Sequence, residues 1–187
     1  PISPLSGSER NRRFIMDRSV GFTEDRAQII SLWHSVFGDT EEDIAFFLDN
    51  CLHKRCLGSF FGGRLVSMLF LVDCEYCGRK GKYVYAVCTS QAYRNKGLCS
   101  ELIHKAKSFG YDFLWLIPAN DELFGYYAKF GFKKKLFSSE KYDHCVSFFE
   151  SREITDYLYD GSDYEYPAGM IFSEYDLPCG GTGYKRK

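Results

Sequence analysis

Tyr93-Arg94-Asn95-Lys96-Gly97-Leu98-Cys99-Ser100 joins the apolar run Tyr83-Val84-Tyr85-Ala86-Val87-Cys88 to a helical pattern of Leu98, Leu102, Ile103 and Ala106. It is a strand-to-helix handover, and it limits the fold more than any other segment. Upstream, Leu57 to Phe61, a Gly62-Gly63 turn and Leu65 to Val72 form a hairpin signal. Cys77-Gly78-Arg79-Lys80-Gly81 is a second turn, leading to a strand from Lys82 to Thr89. Three strands joined by tight turns make an antiparallel meander. Downstream, a helix from about Gly97 to Phe109 stops at Gly110, and Phe113 to Ile117 is a short continuous apolar run. Strand, helix and strand in that order require a crossover and a parallel pair. The expected class is α/β, with a mixed, mostly antiparallel sheet flanked by helices.

The flanking elements follow from capping signals. Thr23 is read as the cap of a helix to Phe37, closed by Gly38, and Thr40 as the cap of a second helix with Asp43 at its third position. Asp121 is read as the cap of a helix through Phe130, stopped by Gly131. Phe132 to Phe137 and Cys145 to Phe149 read as two closing strands. Residues 1–15 are expected to be an N-terminal arm, native or added, and 16–150 the folded domain. Residues 151–187 are expected to be an extension, with one strand around Met170-Ile171-Phe172 and then a disordered tail.

The handover has a chemistry of its own. The first turn of a helix presents free N–H groups and a partial positive charge, which suit a phosphate or pyrophosphate. Gly97 lets the backbone approach that anion with no Cβ between them. Neither a Walker A loop nor Gly-x-Gly-x-x-Gly is present. A net charge of −1 argues against a nucleic-acid surface, so no nucleic-acid partner is expected. The sequence has no apolar run long enough for a membrane span, so no membrane partner is expected either. Eight cysteines without a secretion signal suggest reduced thiols and a cytoplasmic protein. Cys51-x4-Cys56 with Cys74-x2-Cys77 loosely resembles a zinc set, but its first pair lacks the usual spacing. These thiols read instead as small apolar residues, and no metal is expected.

Two segments resemble the GNAT superfamily of acyl-CoA-dependent N-acetyltransferases. Val87 to Cys99 is similar to the family's Gln/Arg-x-x-Gly-x-Gly/Ala loop and the strand before it. Asn120-Asp121-Glu122-Leu123-Phe124-Gly125-Tyr126-Tyr127-Ala128-Lys129-Phe130-Gly131-Phe132 is similar to its Asn…Phe-Tyr-x-Lys-x-Gly-Phe block. One position departs from the pattern: Cys99 stands where the family places Gly or Ala. The resemblance covers about Val20 to Phe149.

That resemblance implies acetyl transfer from acetyl-CoA, the cosubstrate, to a primary amine on a small molecule or peptide. It also implies a bulge that splays two parallel strands. Backbone groups at Val87, Cys88 and Thr89 would pair with the pantetheine arm. Amides of Asn95, Lys96, Gly97, Leu98, Cys99 and Ser100 would hold the pyrophosphate, and Arg94 would add charge or brace the loop. Asn120 would bond the far side of the arm. Tyr127 would protonate the departing thiolate, and an N–H near Cys88 would meet the oxyanion. Asp73, Glu75 and Tyr85 are the nearest general-base candidates, and none is chosen over solvent. The competing readings are a non-catalytic acyl-CoA sensor, a structural Tyr127 and a Cys88 that only packs. A homodimer is the self-association expected, if any.

Overall fold

The computed structural model describes residues 18–137, 146–160 and 168–177. The arm at 1–15 and the tail beyond Leu177 lie outside the described residues. Strand β1 (Arg18–Thr23) leads into helix α1 (Arg26–Phe37). Asp25, not Thr23, caps α1, accepting the Gln28 N–H at 3.1 Å. Thr23 is committed to the sheet, paired with Cys56, and its hydroxyl accepts the Asp25 N–H. Gly38, in the left-handed region at φ 80°, closes α1 by donating to the His34 carbonyl. Thr40 does cap α2 (Glu41–Asn50), accepting from the Asp43 N–H and donating its hydroxyl to the Asp43 carboxylate at 2.7 Å.

The meander forms as the turns require. Strands β2 (Lys54–Phe61), β3 (Arg64–Tyr76) and β4 (Arg79–Thr89) pair antiparallel. Gly62-Gly63 and Cys77-Gly78 both take positive φ at both central residues, the geometry of type I′ hairpins. A two-residue turn needs no more chain, so β4 begins at Arg79 rather than Lys82. Gly81 thus lies inside the strand, where an added Cβ would stand 2.5 Å from the Phe113 ring. Gly81→Ala is expected to cost about 1–3 kcal/mol by overpacking, read as a lower urea midpoint at unchanged slope.

Helix α3 (Leu98–Lys107) carries the chain across to β5 (Phe113–Leu116), which pairs parallel with β4. Helix α4 (Asp121–Ala128) follows. Its cap is Asn120 rather than Asp121, with the carboxamide oxygen accepting the Leu123 N–H at 3.2 Å. It ends at Ala128, short of Phe130, in a tight turn closed by Gly131 at φ 89°. Strand β6 (Lys134–Phe137) and the two-residue β7 (Ser147–Phe148) come next. β7 pairs with β3 where β2 has ended; Cys145 lies outside the described residues.

The segment after residue 150 supplies more than one strand. It forms α5 (Arg152–Asp160), which the sequence reading did not foresee, and β8 (Ala168–Phe172). β8 inserts antiparallel between β5 and β6, so the main path of the sheet runs β1-β2-β3-β4-β5-β8-β6. Two cores cover its faces. One packs α1, α2 and α5 around Trp33, Phe47, Phe70 and Leu158. The other packs α3 and α4 around Leu102, Leu114, Tyr127 and Phe132. Trp33 is 1% exposed and its ring lies 5.4–5.7 Å from those of Phe47, Phe70 and Tyr85. Such pairs add about 0.5–1.5 kcal/mol each beyond their buried area.

Candidate active site

β4 carries a bulge. Met68 faces Cys88 and Phe70 faces Tyr85, so Ala86 and Val87 together oppose Leu69. Ala86 takes φ 48°, a strained value for a residue with a Cβ. The extra residue turns β4 away from β5. Their ladder covers Gly81↔Phe113, Lys82↔Leu114 and Tyr83↔Trp115, and it goes no further. Beyond it the strands diverge around a slot of about 370 Å³. Tyr85, Ala86 and Val87 line one side, and Leu116, Ile117 and Pro118 the other. Trp33 of the first core and Tyr127 of the second also line it, so the slot connects the two faces of the sheet.

At the end of β4 the handover loop adopts two left-handed residues, Asn95 at φ 61° and Gly97 at φ 76°. Gly97 caps α3 with no side chain, so the amides of Leu98, Cys99 and Ser100 receive no capping oxygen from it. An ideal Cβ at Gly97 would meet nothing within 4 Å, so open space lies against that helix start. The observed residues therefore suit a diphosphate: free amides, a positive helix end and room for the anion. Arg94 donates from Nε to the Thr89 carbonyl at 3.3 Å, tying the loop to the strand. Arg18 ion-pairs with Glu101, fastening the first turn of α3 to β1.

Tyr127 is 7% exposed, at the slot wall opposite α1. Its ring packs edge-on against Tyr126 and Phe132. Burial, with smaller contributions from Cys99 and neighbouring phenols, raises its pKa far above the ordinary tyrosine value. The hydroxyl is therefore a donor across the range where proteins are folded. Cys99 bonds to Tyr126, whose hydroxyl also lies 3.5 Å from Ser100 Oγ. The larger side chain at this motif position thus joins α3 to α4. Tyr126 is pushed up to about 12, chiefly by burial.

The other sequence candidates separate. Cys88 is buried, and its thiol is raised by burial, as a packing residue's would be. Its carbonyl accepts the Ser67 hydroxyl at 3.0 Å. Asp73 ion-pairs with Lys82, away from the slot lining. Glu75 sits near the far end of β3, facing Lys80 and Ser147. Tyr85 does line the slot. The Asn120 oxygen accepts in the α4 cap, and its NH₂ takes no part in that bond. The sequence reading missed Trp33 and Asp39 as wall residues, and Leu158 and Tyr159 of α5. No local spacing links them, since they reach the slot from separate elements. No group of three or more potential metal ligands occurs among the described residues, and no described helix is long and apolar enough to cross a membrane.

A family model described as an acetyltransferase (GNAT) domain matches residues 20–134. No curated protein sequence matches significantly. Among solved structures, a Bacillus subtilis acetyltransferase in complex with CoA superposes with a TM-score of 0.56 at 13% identity, over 84% of this chain and 99% of that one. A GNAT family acetyltransferase from Brucella melitensis, in complex with acetyl-CoA, gives 0.54 at 13% identity over 88% and 92%. A probable N-acyltransferase from Enterococcus faecalis V583 gives 0.51 at 16% identity over 64% of this chain. The chain spans only 33% of that protein's length, and 18% and 45% of two others. At these identities the likeness is one of fold.

Proposed function

Because the chain belongs to the GNAT acetyltransferase family, we propose that it transfers an acetyl group from acetyl-CoA to a primary amine by direct attack in a ternary complex. The observation that carries this is the slot opened by the Ala86 bulge, with the bare start of α3 beside it. Solved relatives of the same fold that hold CoA or acetyl-CoA support it.

In this reading Val87, Cys88 and Thr89 offer backbone groups to the amides of the pantetheine arm, as an edge strand does. Amides from Asn95 to Ser100 hold the diphosphate, and Arg94 keeps that loop against β4. The NH₂ of Asn120 reaches the arm from the α4 side. A backbone N–H near Cys88 stabilises the oxyanion as the amine nitrogen bonds to the thioester carbon. Tyr127 donates to the sulfur as the C–S bond breaks, and the proton lost by the amine leaves through water.

Calorimetry and thiol release test this directly. Acetyl-CoA is expected to bind saturably at one site per chain, and thiol release to depend on an added amine. A protein indifferent to millimolar coenzyme A sinks the proposal. One that binds coenzyme A but turns over no amine is a sensor, not an enzyme.

A further inference from the structure

Building on the transferase reading, we propose that the acceptor is a cationic amine lacking a carboxylate, its positive charge seated against Asp39 in the aromatic half of the slot. On the α1 face the wall is Trp33, Phe37, Tyr83, Tyr85 and Tyr159. Asp39 is the one charged side chain among the described residues that line the cavity. It sits in the short link between two capped helices, after Gly38 and before Thr40. Trp33 donates its indole N–H to Asp39 Oδ2 at 2.6 Å, and the Asp39 carbonyl lies 2.7 Å from His34 Nδ1. The carboxylate is thus held at the wall, and its Oδ1 has no hydrogen-bond partner among the described residues.

The electrostatics point the same way. Tyr85 lies far above the ordinary tyrosine value and Tyr157 is pushed up to about 12; burial is the main cause of both, and Asp39 adds to it. Both phenols stay neutral, so Asp39 supplies the negative charge of this wall. A cation there gains an ion pair at the cavity mouth, where Asp39 is exposed, and the faces of several rings. An acceptor with its own carboxylate would meet Asp39 with no Lys, Arg or His in the described lining to balance it. Free α-amino acids and acidic peptides are thereby disfavoured, and simple diamines favoured, since their second ammonium sits at Asp39 while the neutral amine attacks.

The test uses the full chain, with and without coenzyme A, and two probes of the same shape: choline and its uncharged isostere 3,3-dimethylbutan-1-ol. Binding is followed through Trp33 and Trp115 fluorescence. Wild type is expected to hold choline about tenfold or more tighter than the neutral isostere. Asp39→Asn, whose amide oxygen can still accept from Trp33, is expected to bring the two probes together while coenzyme A affinity stays unchanged. Thiol release by wild type is expected to favour a simple diamine over an α-amino acid. Equal binding of the two probes to wild type overturns the proposal, as does failure of both to bind or a preference that survives in Asp39→Asn. The wild-type comparison stands even if that variant misfolds. Loss of coenzyme A binding with choline still held by Asp39 would sink the transferase reading and leave the cation site standing.

Discussion

Tyr127→Phe is expected to lower kcat by about a hundredfold or more, the usual size of a lost proton-transfer group, while acetyl-CoA affinity stays within a factor of about two. The substitution removes one oxygen and keeps the ring that packs against Tyr126 and Phe132. The phenol is held far above its ordinary value, so it never becomes the anion at working pH. A thiol of about 8.5 is the stronger acid, so full transfer from tyrosine to thiolate is uphill in water. Inside the slot the departing thiolate is desolvated as well, and its own pKa rises. In the proposed reaction Tyr127 would act by donating a hydrogen bond as charge gathers on sulfur, with the proton following as the C–S bond breaks. One consequence separates this from a structural role. A better leaving group, such as an activated aryl thioester, restores much of the rate in Tyr127→Phe. Retention of wild-type kcat with unchanged KM would reduce Tyr127 to packing.

The parts of this site that could be read in the sequence are those whose physics is local. Gly62-Gly63 and Cys77-Gly78 announce hairpins because the left-handed turn is confined to two residues. Gly97 announces the bare start of α3 for the same reason. The bulge was expected from the family resemblance, but nothing in Tyr85-Ala86-Val87 locates it, since Ala86 takes a positive φ without the Gly or Asn that marks such places. Helix α5 did leave a signal. Ser151 caps it through the Ile154 N–H, and Ile154, Leu158 and Tyr159 form one apolar stripe. Glu153, Asp156, Tyr157 and Asp160 interrupt that stripe, and they made the stretch look like solvated loop. Asp39 left no signal at all. It looked like a linker residue between two helices, and only the packing of α1 on β4 turns it toward the slot.

The position of β8 is the least local feature of the fold, and Ile171→Asp is expected to expose it with the largest stability loss of any change considered. Ile171 is 2% exposed and faces Trp115 of β5 on one side and Lys134 of β6 on the other. A carboxylate placed there loses its water among the buried rings of the first core, at a cost of about 4 kcal/mol or more. Whole domains are stable by only about 5–15 kcal/mol, so the variant is expected to be largely unfolded in mild urea. The site depends on the same contact. β8 pairs Met170 with Leu116, and the next residues of the chain, Ile117 and Pro118, form the slot wall. Ile171→Val, which keeps the apolar contact, is expected to lose only about 0.5–1.5 kcal/mol and to bind acetyl-CoA normally. Glu174→Gln, at an exposed position just past β8, is expected to stay within about 0.5 kcal/mol of wild type. Urea unfolding followed by far-UV circular dichroism ranks the three. A wild-type midpoint for Ile171→Asp would mean that β8 does not occupy the interior of the sheet, and that β5 holds its side of the slot without it.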